Sequence, residues 1–212
     1  MASPRARQST LPLATVSILA ALGVAGCGTP PWQTASPSVS ASPTTTTTTT
    51  SSPAVNDLAT GSLKRSLTAG AAKVELTYWS TLDLRQWTPE VPKPLNVVAS
   101  ATLQGGAKGQ QTFLSAVRVA TTAIGADGTP KTLDAVDDTA SVAPGYLISK
   151  PNSYQQVLTL PAAPAGSTAM RITLTYELLI QSAPKADTYL RQATSDTIQV
   201  PLVAAPSTPK TP

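Results

Sequence analysis

The chain has 212 residues, of which only 12% are charged; its formal charge is +4, and it has no histidine and a single cysteine. One Cys excludes an intramolecular disulfide, so the fold must be held by packing. Sparse charge and 4% aromatics leave neither the basic stripe nor the stacking platform of a nucleic-acid binder.

Taken in order, residues 1–8 carry Arg5 and Arg7 without an acid, and an apolar run follows from Leu11 to Gly26. That is the order of a secretory signal peptide. The run is short against the ~20 residues of a membrane span, and Pro12 interrupts its start. Ala6 separates the two arginines, so there is no twin-arginine signal. The run ends in Val24-Ala25-Gly26-Cys27, which resembles the lipobox of bacterial lipoproteins. The resemblance implies cleavage between Gly26 and Cys27, a diacylglyceryl group on the Cys27 thiol, and acylation of the new amino terminus. Two or more acyl chains would anchor the protein stably, where one is marginal. Cys27 as an ordinary apolar residue is the competing reading, opposed by its being the only Cys at the one position the pattern requires. The expected location is the extracytoplasmic face of the cell membrane.

Residues 27–58 are dominated by Thr, Ser, Pro and Ala, with an unbroken run from Thr44 to Thr50. Too few apolar side chains are present to offset the entropy of ordering, so this segment is expected to be a disordered tether, bare or O-glycosylated. As a flexible coil it would reach on the order of 30 Å. Residues 205–212 are expected to be a loose tail.

Residues 59–204 change to a period of two. Met170 to Ile180 alternates apolar residues with Arg171, Thr173, Thr175 and Glu177, as a strand with one wet face does. Lys73 to Tyr78 alternates likewise. Leu95 to Leu103, Phe113 to Val119, Lys131 to Val136, Val142 to Ser149, Tyr154 to Leu160 and Thr197 to Val203 are further strands, with Phe113, Ser115, Val117 and Val119 expected on one side. Ala126 to Pro130 reads as a turn, Thr188 to Ala193 as a single helical turn, and Pro201 marks an edge strand. The spacing predicts a mainly β domain, an antiparallel β-sandwich. It is similar in pattern to the immunoglobulin-like domains of exported bacterial proteins, though without their Cys pair.

Without His, the commonest general base and zinc ligand are missing, and lipidation of Cys27 would remove thiol chemistry. No phosphate-binding or dinucleotide motif is present, so no cofactor and no metal are expected. Paired carboxylates survive as a possibility through Glu75, Glu90 and Glu177, but Glu75 and Glu177 sit at polar strand positions, where a solvated charge is the ordinary reading. Asp134, Asp137 and Asp138 lack the spacing of a calcium loop. Trp79 and Trp87 are the candidate binding surface: if Tyr78 is in the core, Trp79 faces out or lies under a loop. Trp87 reads either as exposed or as covered by Pro89 to Pro94. The leading function is a non-enzymatic binding or structural module of the cell envelope, in which the sandwich binds a protein, glycan or wall component. The alternative is a carrier enclosing an apolar ligand, and a carboxylate hydrolase ranks third.

Overall fold

The computed structural model of the chain describes residues 55–204. The segment expected to be a signal peptide, Gly26, Cys27, most of the expected tether and the tail 205–212 lie outside the described residues.

Ten strands follow in order: β1 (Ser62–Ala69), β2 (Ala72–Trp79), β3 (Lys93–Leu103), β4 (Thr112–Gly125), β5 (Pro130–Thr132), β6 (Val136–Thr139), β7 (Tyr146–Leu147), β8 (Tyr154–Leu160), β9 (Ser167–Gln181) and β10 (Tyr189–Pro201). They form two antiparallel sheets. One has the order β1-β2-β3-β8; in the other, β10-β9-β4 continues into β5, β6 and β7, which pair in succession with β4. The architecture is the β-sandwich that the period-two segments predict. Gly70, with φ +58°, supplies the left-handed residue that the two-residue β1–β2 turn needs.

Alternation decides what lies between the sheets. Val74, Leu76 and Tyr78 of β2 face inward with Leu95, Val97 and Ala99 of β3. From the other sheet come Ile172, Leu174, Tyr176 and Leu178 of β9 and Val117 and Val119 of β4. Full burial of each large aliphatic side chain contributes roughly 1.5–3 kcal/mol, so these rows dominate stability. The outward residues of β9 and β10 pair through hydroxyls: Thr173 with Thr197 at 3.1 Å and Thr175 with Ser195 at 2.9 Å.

Both edges of the sandwich are stitched. On one, the Asp57 N–H donates to the Gln199 carbonyl at 2.9 Å, and the Gln199 N–H donates to Asp57 Oδ2 at 2.8 Å. Arg65 of β1 reaches Asp57 at 3.1 Å and Asp196 of β10 at 3.8 Å. On the other, Ile148 to Lys150 bonds to Ala101 of β3 and Thr112 of β4, and the Tyr154 hydroxyl donates to Asp138 Oδ2 at 2.6 Å.

Several sequence expectations need correction. Ser62–Ala69 is a strand that the pattern did not announce. Thr188 to Ala193 is no helical turn: it runs into the first half of β10, whose outermost place in its sheet agrees with Pro201. Lys131 to Val136 divides between β5 and β6, and only Tyr146–Leu147 of Val142 to Ser149 is strand. A bulge between Leu114 and Ala116 breaks the β4 alternation, so Phe113 and Ser115 are turned away from the core that Val117 and Val119 enter. Leu58, 1% exposed, belongs to the packed core rather than to the tether.

Candidate functional site

Trp87 is fully buried. The Asp83 carboxylate caps a short 3-10 turn, Leu84–Gln86, by accepting from the Arg85 N–H at 2.9 Å, and the chain then turns Trp87 inward. The indole N–H donates to Ser80 Oγ at 3.3 Å, and the Trp87 carbonyl accepts from Val203 at 2.9 Å. Trp87 is therefore core and is not available as a surface. The exposed Arg85 guanidinium holds the Asp83 carboxyl down at about 2.

Trp79 is half-buried on the outer face of the four-stranded sheet, opposite in direction to buried Tyr78. It is in register with Ser62, Asn96 and, through Asn96, with exposed Val157. The Asn96 amide donates to the Trp79 carbonyl at 3.4 Å. The structure thus separates the two tryptophans proposed from sequence, leaving one on a sheet face and one inside.

A groove of about 350 Å³ opens where β6 and β7 approach β8. Tyr146 and Tyr154 line it, with ring centroids 5.2 Å apart and planes at 44°. Asp138, Ser153, Gln155 and Gln156 supply its polar groups. Burial, with help from the Asp138 carboxylate, pushes the Tyr154 hydroxyl well above its ordinary value, so it stays a neutral donor. Gly145 sets Tyr146 in place: at φ +150° it lies so close to the Leu114 carbonyl that a Cβ could not fit. Sequence reasoning saw Asp138 only as part of a possible calcium loop and the tyrosines only as strand residues. Their convergence depends on pairing β7 with β4 while β8 pairs with β3, which local pattern does not reveal. A larger depression of about 420 Å³ lies beside the 3-10 turn, lined by Leu58, Leu82, Leu84, Asp83 and Arg85 among others; both depressions open to the surface.

The carboxylates do not converge. Glu75 projects from the outer face of β2 and pairs with Lys150, whereas Glu177 projects from the outer face of β9, on the other sheet, and pairs with Arg118 at 2.7 Å. Glu90 is exposed. Asp137 contacts Arg118 at 3.5 Å while Asp138 serves Tyr154. Among the described residues, no group of three His, Cys, Asp or Glu is placed to hold a metal ion.

Among the buried polar groups of the sandwich are a tyrosine pair and a lysine. The Tyr176 hydroxyl donates to the Tyr78 hydroxyl at 3.0 Å. Lys93, with no exposed surface, donates from Nζ to the Pro89 carbonyl at 2.8 Å; burial pulls its pKa down to about 8, against the opposing charge of Glu90. No family model matches the chain, and no curated protein matches it.

Proposed function

We propose that the protein is a lipid-anchored, extracytoplasmic lipoprotein whose β-sandwich is a non-enzymatic binding module of the cell envelope. The observation that carries this reading is the position of the only Cys: Cys27 closes Val24-Ala25-Gly26-Cys27 directly after a basic and then apolar leader. The Thr- and Pro-rich stretch behind it is suited to lifting a domain off a membrane. Binding rather than catalysis is favoured because Glu75 and Glu177 are ion-paired on faces pointing apart. Binding at the surface rather than by enclosure is favoured because large side chains from both sheets meet in the interior. The membrane, through the acyl chains, and an envelope glycan, protein or lipid are the partners this reading requires.

Metabolic labelling with a palmitate analogue tests it. The wild-type chain should take up label and be processed ahead of residue 27, and Cys27→Ser should do neither. Label persisting on Cys27→Ser, or none on the wild type, would overturn the anchor.

A further inference from the structure

We infer that the groove between β6 and β8 is a saccharide site, taking one ring of a neutral glycan against Tyr146. The inference rests on the reading of the domain as an envelope binding module and names the ligand class for it. Its volume, about 350 Å³, falls in the ~300–1,000 Å³ range of small-molecule sites.

The chemistry of the lining selects the ligand. A sugar ring has an apolar face of C–H bonds and a rim of hydroxyls, so its site needs an aromatic plane and a set of mixed donors and acceptors beside it. The negative face of an aromatic ring attracts such C–H groups, and Tyr146 keeps part of its ring accessible in the groove. Tyr154, 5% exposed, supports it from beneath through the ring contact at 5.2 Å. One oxygen of Asp138 is occupied by the Tyr154 hydroxyl, which leaves Oδ1 to accept from a sugar hydroxyl. Gln156, on the same row of β8 as Tyr154, brings an exposed amide that both donates and accepts.

Charge excludes the main competitors. Among the described residues no Lys or Arg lines the groove, and Asp138 is the only charged one. A phosphate, a uronic acid or an anionic lipid headgroup would meet an uncompensated carboxylate, while an uncharged saccharide would meet an acceptor. Apolar tails are disfavoured too, because four of the seven lining residues end in a carboxylate, an amide or an aliphatic hydroxyl.

The test titrates the full-length chain in detergent with neutral hexose, pentose and N-acetylhexosamine oligosaccharides, and with uronic-acid oligomers of equal length, followed by calorimetry. The expected result is saturable binding of at least one neutral series and none of the uronic acids. Tyr146→Phe should bind within about twofold of wild type, whereas Tyr146→Leu and Gln156→Ala should each weaken binding about tenfold, which is ~1.4 kcal/mol. Thermal melting of each variant separates a lost contact from a lost fold, and the exposed Gln156→Ala keeps the test falsifiable if Tyr146→Leu unfolds, because unchanged binding in that folded variant would also overturn the inference. Absence of binding by every neutral series, equal binding of uronic acids, binding indifferent to Tyr146→Leu in a folded variant, or capture of an extended peptide on β8 instead would overturn the inference. Palmitate labelling reports on the anchor independently, so either reading can fail without the other.

Discussion

The Tyr176 hydroxyl gives its hydrogen bond to Tyr78 at 3.0 Å in the interior, one tyrosine from each sheet. Burial is the first reason that both phenols titrate far above their ordinary value, and the nearby Asp196 carboxylate pushes Tyr78 further in the same direction. Tyr78→Phe would strand the Tyr176 O–H without an acceptor, so it should cost ~1–3 kcal/mol. Tyr176→Phe leaves Tyr78 beside Asp196 and should cost less. The double variant should cost no more than Tyr78→Phe alone, since replacing both partners removes the unpaired group. Urea denaturation of the four proteins measures the coupling; simple additivity would mean that the pair does not interact.

The β9 alternation yields a second contrast. Leu174 is fully buried, while Thr173 is turned outward and shares a hydroxyl bond with Thr197. Leu174→Ala should destabilise by ~2–5 kcal/mol through lost transfer energy and the cavity left behind. Thr173→Ala should cost within about 1 kcal/mol. Comparable losses in denaturation, at unchanged slope, would show that both faces of β9 are buried.

Stability should pass through a maximum on the alkaline side. Lys93 loses its proton at about 8 when folded and near 10.5 when unfolded, so the unfolded chain binds more protons between these values. Its burial penalty is therefore present below pH 8 and relieved as pH rises, by at most ~1.4 kcal/mol per pH unit. Tyr78, Tyr154 and Tyr176 act oppositely: raised from 10.0 by burial, they are ionised in the unfolded chain first, and stability falls above about pH 10. Lys93→Met should abolish the rise between pH 8 and 10 while leaving the later fall. The Pro89 carbonyl keeps a partner in that variant, because Ala163 donates to it at 2.7 Å. A rise surviving in Lys93→Met would assign it to another group.

Gly145→Ala tests the seat of the groove. A Cβ there would strike the Leu114 carbonyl and lie 2.9 Å from its carbon, on a backbone already at φ +150°. Strain of ~1–3 kcal/mol should either destabilise the domain by that amount or lift β7 off β4. Gly128→Ala, where φ is +81° but nothing lies within 4 Å, is the control for backbone strain alone. Equal losses at the two glycines would deny the close approach.

The strands that were legible in sequence are those whose inward positions are uniformly apolar, such as Val74, Leu76 and Tyr78 or Ile172, Leu174 and Tyr176. The two hidden ones share a cause. In β1 the inward row is Leu63, Arg65, Leu67, and in the first part of β10 it runs through Gln192 and Thr194 to Asp196. Arg65 and Asp196 face one another across the seam, so each spoils the period of its own strand by satisfying the other. In β4 the bulge after Leu114 shifts the phase within one strand, and alternation read through it assigned Phe113 and Ser115 to the wrong side. Of the two candidate tryptophans, Trp79 obeys the alternation of β2, but Trp87 follows a 3-10 turn, where a period of two has no meaning. The groove was invisible because its tyrosines come from strands paired into different sheets.

The Asp57–Gln199 pairing sets the two ends of the described chain side by side on the β1/β10 edge, while the Tyr146 groove occupies the opposite edge. A pull between whatever precedes residue 55 and an object held in the groove would thus run crosswise through the sheets, rung after rung, rather than along the strands. The rung nearest residue 55 combines the two Asp57–Gln199 hydrogen bonds with the ion pairs of Arg65, whose side chain is 39% exposed, and solvent-accessible ion pairs contribute only about 0–1 kcal/mol each. Under tension the domain would begin to peel there, and β1 and β10 would part while the tyrosine pair and the aliphatic rows behind them still held.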